Sequence, residues 1–370
     1  MNYMIDLARK FIPQKLRYII QKIIPMTKIK IKYRELNNPL SYFTGSENNK
    51  GNYSIKLGII KNQMQYHTYY VSACMELGVP FTVIDLYRSD WLKNINDSKV
   101  DIILFWPDAF ISEHLKMMKD RMYIVNKYLK IPVFPTESEV WMYEDKRRMA
   151  YWCEANNVDY PRTRIFYDLK EALEFSRECE LPIVCKLPFG ASATGVKIIR
   201  KRSQLIKIVK QSFKKGYVAS GGDLRDRQWG YVYFQEYLAD VKEWRIVRIG
   251  DIYFCRQKEK VGEYHSGSGL VTWAKPDFRV LDYAVHITNI GGFRGMAIDI
   301  FETENGDLFV NELQTVFGAI QDQNIQRGNE HMGKWYLNSE NKWCFEAGYY
   351  YQNACANERI KYIISNHLIK

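Results

Sequence analysis

The segment Met296-Ala-Ile-Asp-Ile-Phe-Glu-Thr-Glu-Asn-Gly-Asp-Leu-Phe-Val-Asn-Glu-Leu-Gln314 consists of two alternating apolar and polar runs around Asn305-Gly306, the short-range signature of a two-residue β-hairpin turn. Such a turn pairs positions whose numbers sum to 611, which sets Asp299 against Glu312 and Ala297 against Gln314. Directly opposed side chains lie ~4.5–5.5 Å apart at Cβ, and two carboxylates placed there repel. A neutralising cation is the simplest reason to tolerate both. Two carboxylates and an amide oxygen beside a small residue are hard ligands, suited to Mg²⁺ held together with phosphates. The competing reading is a surface hairpin carrying spare acids.

Upstream, Glu243-Trp-Arg-Ile-Val-Arg-Ile-Gly-Asp-Ile-Tyr-Phe-Cys-Arg-Gln-Lys258 reads as a second hairpin, turning at Gly250-Asp251 with opposed positions summing to 501. Arg245 then faces Arg256 and Glu243 faces Lys258, while Val247, Ile249, Ile252 and Phe254 make the same face apolar nearer the turn. Two opposed guanidinium groups repel unless an anion lies between them, and arginine grips phosphate oxygens in a bidentate way. Solvent or acids elsewhere in the fold are the alternative partners. A third segment, Leu181 to Val196, joins a strand ending in Lys186 to a loop of small residues, Gly190, Ala191, Ser192, Ala193, Thr194 and Gly195. Small residues let backbone N–H groups approach an anion closely, although the order is not that of a P-loop. A cation-seeking hairpin, an anion-seeking hairpin and a small-residue loop together describe a magnesium-nucleotide site.

The chain has 370 residues, enough for two or three domains with an ample core. Its seven cysteines form no C-x-x-C pair, so neither a disulfide framework nor a zinc site is indicated, and a reducing cytoplasm fits. Six scattered histidines show no metal-ligand spacing. Most of the net charge of +11 is local, because residues 1–34 hold nine Lys or Arg against the single acid Asp6. Apolar residues recur there at helical spacing, Met4, Leu7 and Phe11 and then Leu16 to Ile24, with Pro13 and Pro25 as breaks, which describes a basic amphipathic arm. It is too short and charged to span a bilayer, and its sequence is not that of a signal peptide. Such a helix either lies at an anionic membrane surface or docks on the protein's own core. No nucleic-acid motif accompanies it.

A β-α-β pattern follows, with strands at Ser54–Ile60, Phe81–Leu86 and Asp101–Trp106 and a helix from about Tyr66 to Leu77 ending at Gly78. This Rossmann-like opening lacks a G-x-G-x-x-G, which argues against a dinucleotide dehydrogenase. A polar stretch, Ser41 to Gly51, precedes it, and Pro132 to Pro135 marks its end. A helix is expected from about Ser138 to Asn156, with alternating strands and helices beyond to about Gly216.

The order and spacing of these elements over residues 54–325 resemble the ATP-grasp superfamily. The resemblance implies an α/β (α+β) fold in which a nucleotide is held between two α+β subdomains, preceded by a Rossmann-like domain. The implied divisions are an arm at 1–50, a pre-ATP-grasp domain at 51–135, an ATP-grasp domain at 136–330 with its lid at about 145–235, and an aromatic-rich segment at 331–370. Carried over by motif, Lys146 and Lys186 are the two ATP lysines, and Gly190, Ser192 and Gly195 belong to the phosphate loop. Gln235, Glu236, Tyr237 and Leu238 form the adenine hinge, and Glu243, seven residues past Glu236, takes the ribose. Arg245, Arg256 and Lys258 serve the transferred phosphate, while Asp299, Glu312 and Gln314 hold magnesium, two ions in this reading, Gln314 replacing the usual Asn. Ala297 stands where dipeptide ligases carry an arginine, and Arg256 to Gly269 is closer to the glutamate-ligase type.

The resemblance implies ATP-dependent joining of a carboxylate to an amine, such as an amino acid, through an acyl phosphate. A phosphotransferase acting on a hydroxyl and a nucleotide-binding protein without turnover are the rival classes. The basic arm points to a membrane-associated acceptor, a lipid-linked or surface-polysaccharide precursor, and to a cytoplasmic protein peripheral on the inner membrane face. The tryptophans and tyrosines of 335–351 either wall the acceptor pocket or pack a core before a terminal helix.

Overall fold

A computed structural model describes residues 31–32 and 46–368 except 110, 188–194, 219–226, 261, 264–270, 274, 316–332, 349 and 351–352. Apart from the helical pair Ile31 and Lys32, the basic arm lies outside the described residues, as do Gly190 and Ser192.

The first sheet has five strands, β1 (Glu47–Asn48), β2 (Leu57–Ile60), β3 (Phe81–Ile84), β4 (Ile102–Leu104) and β5 (Val133–Phe134), ordered β1-β3-β2-β4-β5. β2 pairs in parallel with β3 and β4, and its Leu-Gly-Ile-Ile run is buried throughout, as a central parallel strand covered on both faces requires. Helix α1 (Thr68–Leu77) covers one face, ending at Gly78, whose φ of 64° supplies the left-handed cap. Helices α2 (Trp91–Ser98) and α3 (Ser112–Lys127) cover the other through Ile95, Met118, Met122 and Val125. The polar stretch before β2 is not wholly a separator, since β1 pairs antiparallel onto the outer edge of β3.

The expected helix at 138–156 is two helices. α4 (Glu137–Met142) opens on a capping box between Thr136 and Glu139, and α5 (Lys146–Ala155) opens on Asp145, whose carboxylate accepts from the N–H groups of Arg147 and Arg148. The link between them turns sharply, with Glu144 at φ 55°. Glu139 is fully buried and also accepts from the N–H groups of Arg294 (2.8 Å) and Gly295 (2.7 Å), which fastens this link to the central sheet.

An antiparallel four-stranded sheet follows, β6 (Thr163–Phe166), β7 (Ile183–Lys186), β8 (Val196–Ile199) and β9 (Val232–Glu236), ordered β6-β9-β7-β8. Helices α6 (Leu169–Glu178) and α7 (Arg202–Lys214) pack on one face. The largest sheet contains β10 (Lys242–Ile249), β11 (Ile252–Lys258), β12 (Val271–Thr272), β13 (Gly295–Glu302), β14 (Leu308–Gln314), β15 (Gly333–Leu337) and β16 (Trp343–Ala347). Its order is β14-β13-β10-β11-β15-β16, with β12 also on β11. One face is buried under α5 and α8 (Phe278–Ile290). The other is apolar at the Gly250 end, where Val247, Ile249 and Ala297 meet Cys355 of α9 (Asn353–Leu368), and charged beyond it. The aromatic C-terminal segment is core and terminal helix: Trp335 is buried in the central core, and Ile360, Ile363 and Ile364 return to the first sheet.

Candidate active site

The charged end of the central sheet is built by register. β10 and β11 pair about Gly250-Asp251 as expected, with Arg245 opposite Arg256 and Glu243 opposite Lys258. On the other side of β10 lies β13, where Asp299 stands opposite Arg245. The guanidinium of Arg245 grips both oxygens of Asp299, Nε to Oδ1 and Nη2 to Oδ2, each at 2.7 Å. An anion between arginines is therefore not what neutralises Arg245; a carboxylate from the neighbouring strand does so. Lys258 Nζ lies 2.5 Å from both Asp299 Oδ2 and Glu243 Oε1. Burial alone raises the Asp299 pKa, yet Arg245 and Lys258 outweigh it and hold the carboxyl well below its usual range.

Asp299 and Glu312 face each other in the expected register, but not by the expected turn. The loop spans 303–307, with Gly306 at φ 85°, Thr303 N–H bonded to Asp307 O, and Asn305 not left-handed, which excludes a tight turn centred on Asn305-Gly306. Near the loop the pairs sum to 610, as in Ile300 with Val310. A bulge then inserts Asn311, and the pairs return to 611 at Asp299 with Glu312 and Ala297 with Gln314. Turn and bulge compensate.

The bulge brings a residue that sequence reasoning missed. Asn311 Oδ1 accepts from Lys186 Nζ at 3.1 Å, and its Nδ2 lies 3.5 Å from Glu243 Oε1. Lys186 comes from the end of β7, on the face of the four-stranded sheet opposite its apolar core. Burial, then the neighbouring Lys146, pull its ammonium down to about 8 against the pull of Glu312, Glu243 and Asp299. Lys146, at the start of α5, places Nζ 3.5 Å from Glu312 Oε1. Burial raises the Glu312 pKa, and Lys146 with Lys258 and Arg245 overcomes it, so this carboxylate too is held down. Lysines from two separate elements thus converge on consecutive residues of β14.

The remaining predicted residues are placed as follows. Gln235 lies on the Lys186 face of its sheet, its amide donating to Thr163 Oγ1 at 2.9 Å. The Glu236 carboxylate accepts from Arg162 N (2.6 Å) and Nε (2.8 Å), because β6 begins alongside the end of β9. Tyr237 and Leu238 are partly buried in the link from β9 to β10, with Arg200 over the Tyr237 ring. Gly195 is buried where its carbonyl closes the β7-β8 hairpin onto Leu187 N.

No group of three or more His, Cys, Asp or Glu forms a metal centre among the described residues. The hard donors are two carboxylates and one amide. Gln314 Nε2 donates to Glu312 Oε1 at 2.8 Å, while Gln314 Oε1 is buried without a hydrogen-bond partner. An unmatched buried acceptor costs ~1–3 kcal/mol, which a cation beside Glu312 removes. These residues fit a hard divalent ion that draws its other ligands from phosphate.

No protein-family model and no curated protein matches the sequence. Solved structures do. D-alanine–D-alanine ligase from Bacillus anthracis complexed with ATP superposes with a TM-score of 0.55 at 14% identity, over 85% of this chain and 98% of that one. The ADP complex of an N5-carboxyaminoimidazole ribonucleotide synthetase gives 0.52 at 12% identity, over 88% and 100%. A RimK domain ATP-grasp protein from Sphaerobacter thermophilus gives 0.50 at 13% identity, over 70% and 90%. Three sheets in this order, with the charged site on the central one, and these superpositions establish that the chain has the ATP-grasp fold.

Proposed function

We propose that the protein is an ATP- and magnesium-dependent, ADP-forming ligase that joins a carboxylate to an amine through an acyl phosphate. The observation that carries this is the convergence of Lys146 and Lys186 on Glu312 and Asn311, with Arg245, Arg256 and Lys258 on adjoining strands. Lys146, Lys186, Arg245, Arg256 and Lys258 gather on the carboxylates of Glu243, Asp299 and Glu312, a mixed cationic and anionic set suited to a polyphosphate bound with Mg²⁺. Bound magnesium supplies Lewis acidity at the phosphates, with Asp299, Glu312 and Gln314 as its protein ligands.

In this reading Lys146 and Lys186 orient the phosphates from opposite sides, and Glu243 and the 237–238 link hold the nucleoside. Arg245, Arg256 and Lys258 neutralise charge that develops as the phosphoryl group meets the substrate carboxylate. For Asp299 to hold metal, Lys258 must turn from Asp299 to the transferred group, a short movement of a flexible side chain.

We extend the reading to a glycan-linked or surface-polysaccharide precursor as acceptor, an amino acid as amine, and a cytoplasmic enzyme peripheral on the membrane through residues 1–34. No helix among the described residues is long and apolar enough to cross a membrane. The test is calorimetry of ATP with and without Mg²⁺, followed by ADP release with amino acids offered against uronic acids and nucleotide-linked sugars. Magnesium-dependent ATP binding that Lys146→Met and Lys186→Met both weaken is expected. Binding indifferent to both lysines contradicts the site, and unchanged membrane partition after deletion of residues 1–34 contradicts the peripheral placement.

A further inference from the structure

Lys146 and Lys186 are brought together from two separately packed bodies. α5 is built into the core of the central sheet through Met149 and Cys153, whereas β7 belongs to the core under α6 and α7 through Ile183 and Cys185. The chain joins the four-stranded sheet to the rest by residues 156–162 before β6 and 237–241 after β9. Both joins lie at one end of that sheet, where Thr163 pairs with Gln235. The first is tied down, since Asp159 O accepts from Val310 N at 2.9 Å and from the Tyr283 hydroxyl at 3.0 Å. A sheet anchored at one end swings about it, and a swing of this one carries Lys186 away from Asn311.

The opposite end is held by side chains. There β6 finishes at Phe166 opposite Val232, and the next residues outward, Tyr167 and Tyr231, stack with ring centroids 5.4 Å apart at 28°. α5 reaches both rings. Tyr151 Oη lies 2.8 Å from Tyr167 Oη, Arg147 Nη1 lies 3.4 Å from the same hydroxyl, and Arg147 Cζ sits 4.6 Å from the Tyr231 centroid. Arg147 and Tyr151, four residues apart, share one face of the helix. Asp145 fixes the guanidinium, accepting from Nη2 at 3.1 Å and from Nε at 3.3 Å. Because Asp145 already neutralises Arg147, the cluster offers a ligand no free charge, and its contacts serve to join the two bodies. We infer that Arg147, Tyr151, Tyr167 and Tyr231 form a clasp that closes the four-stranded sheet onto α5 and so positions Lys186 against Lys146. Tyr151 and Tyr167 are 40% and 55% exposed, so water competes for their hydroxyls and the clasp holds the sheet without locking it.

The clasp is testable without nucleotide, and only its effect on ligand release rests on the ligase reading. Nitroxides are attached through a ketone-bearing amino acid, which spares the native cysteines, at Lys170 on α6 and Lys116 on α3, whose side chains are 86% and 60% exposed. Double electron–electron resonance on the nucleotide-free full chain compares wild type with Tyr151→Phe, Tyr167→Phe, the double Phe variant and Tyr167→Ala, each retaining the wild-type circular dichroism. Each Phe variant should raise the population of a longer distance about fivefold, and Tyr167→Ala should raise it further. The double Phe variant should add little to either single change, because one bond joins the two hydroxyls. Mg-ATP should leave the same variants faster by the same factor in stopped flow. One distance distribution shared by all the proteins, or release unchanged where the longer distance has grown, overturns the inference. A wild type that does not bind Mg-ATP counts against the ligase reading, and the distance distributions then decide the clasp alone.

Discussion

Asp299→Asn keeps the shape of a side chain that is 1% exposed and removes its charge. In the native site that charge receives two bonds from Arg245 and one from Lys258, at 2.7, 2.7 and 2.5 Å. The change leaves a guanidinium and an ammonium next to each other with Glu243 as the remaining carboxylate on Lys258. Breaking a buried ion pair by removing one partner costs ~3–5 kcal/mol, and Arg245 and Lys258 are too enclosed for solvent to recover much of it. At ~2–4 °C per kcal/mol, nucleotide-free Asp299→Asn should melt about 6–20 °C below wild type. Lys258→Met should also destabilise, and the double variant should lose less than the sum, because each single change already strands the other partner. Asp299 has a depressed pKa in the fold, so its contribution is fully present above the unfolded value of ~3.9 and is lost as pH falls through the folded value. The wild-type advantage should therefore be flat from neutral pH down to ~4 and shrink below it. Differential scanning calorimetry across that range is the assay. A loss under ~1 kcal/mol at neutral pH, or strict additivity in the cycle, refutes the reasoning.

Three further outcomes follow from the same contacts. Lys186 titrates at about 8, so its ammonium is lost as pH rises through that value; Mg-ATP affinity should fall about tenfold between neutral pH and ~9, and a flat calorimetric profile contradicts the assignment. Asn311→Ala removes the acceptor 3.1 Å from Lys186 and should weaken Mg-ATP binding by ~1 kcal/mol, whereas Asn311→Asp should move the Lys186 midpoint above 8; identical pH profiles for the two variants rule out a positioning role. Glu139→Gln puts an amide N–H against two of the four donors that the carboxylate now satisfies, costing roughly 2–6 kcal/mol in urea unfolding; a loss under ~1 kcal/mol shows that the link to the central sheet is not held there.

The sequence made both hairpins of the site legible, because period-two alternation and glycine-bearing turns act over a few residues. Arg245 opposite Arg256 and Asp299 opposite Glu312 follow from such local signals. The pairing of β10 with β13 does not, since the two strands are separated by some fifty residues and meet only through the folded sheet. That pairing decides the electrostatics: Arg245 finds Asp299 across it, which selects an acid elsewhere in the fold over a free anion, a choice local reasoning left open. The bulge at Asn311 was equally hidden, because a compensating shift at the 303–307 loop leaves the site register unchanged. One signal was available, two consecutive polar residues at Asn311-Glu312 after the apolar Leu308 to Val310, which breaks strict alternation. The split between α4 and α5 was marked by Asp145 as a cap ahead of Lys146, a helix start that a single helix over 138–156 did not take into account. The motif at Glu236 carried no sign of Arg162, which lies 74 residues away in sequence and meets it only through the pairing of β6 with β9.

The measurement that bears most directly on the central claim is turnover in the presence of hydroxylamine. With Mg-ATP and pooled amino acids, uronic acids and nucleotide-linked sugars, the account predicts ADP together with an equal amount of an acyl hydroxamate, since only an activated carboxylate is captured this way. ADP formed with a phosphorylated hydroxyl product and no hydroxamate would contradict it.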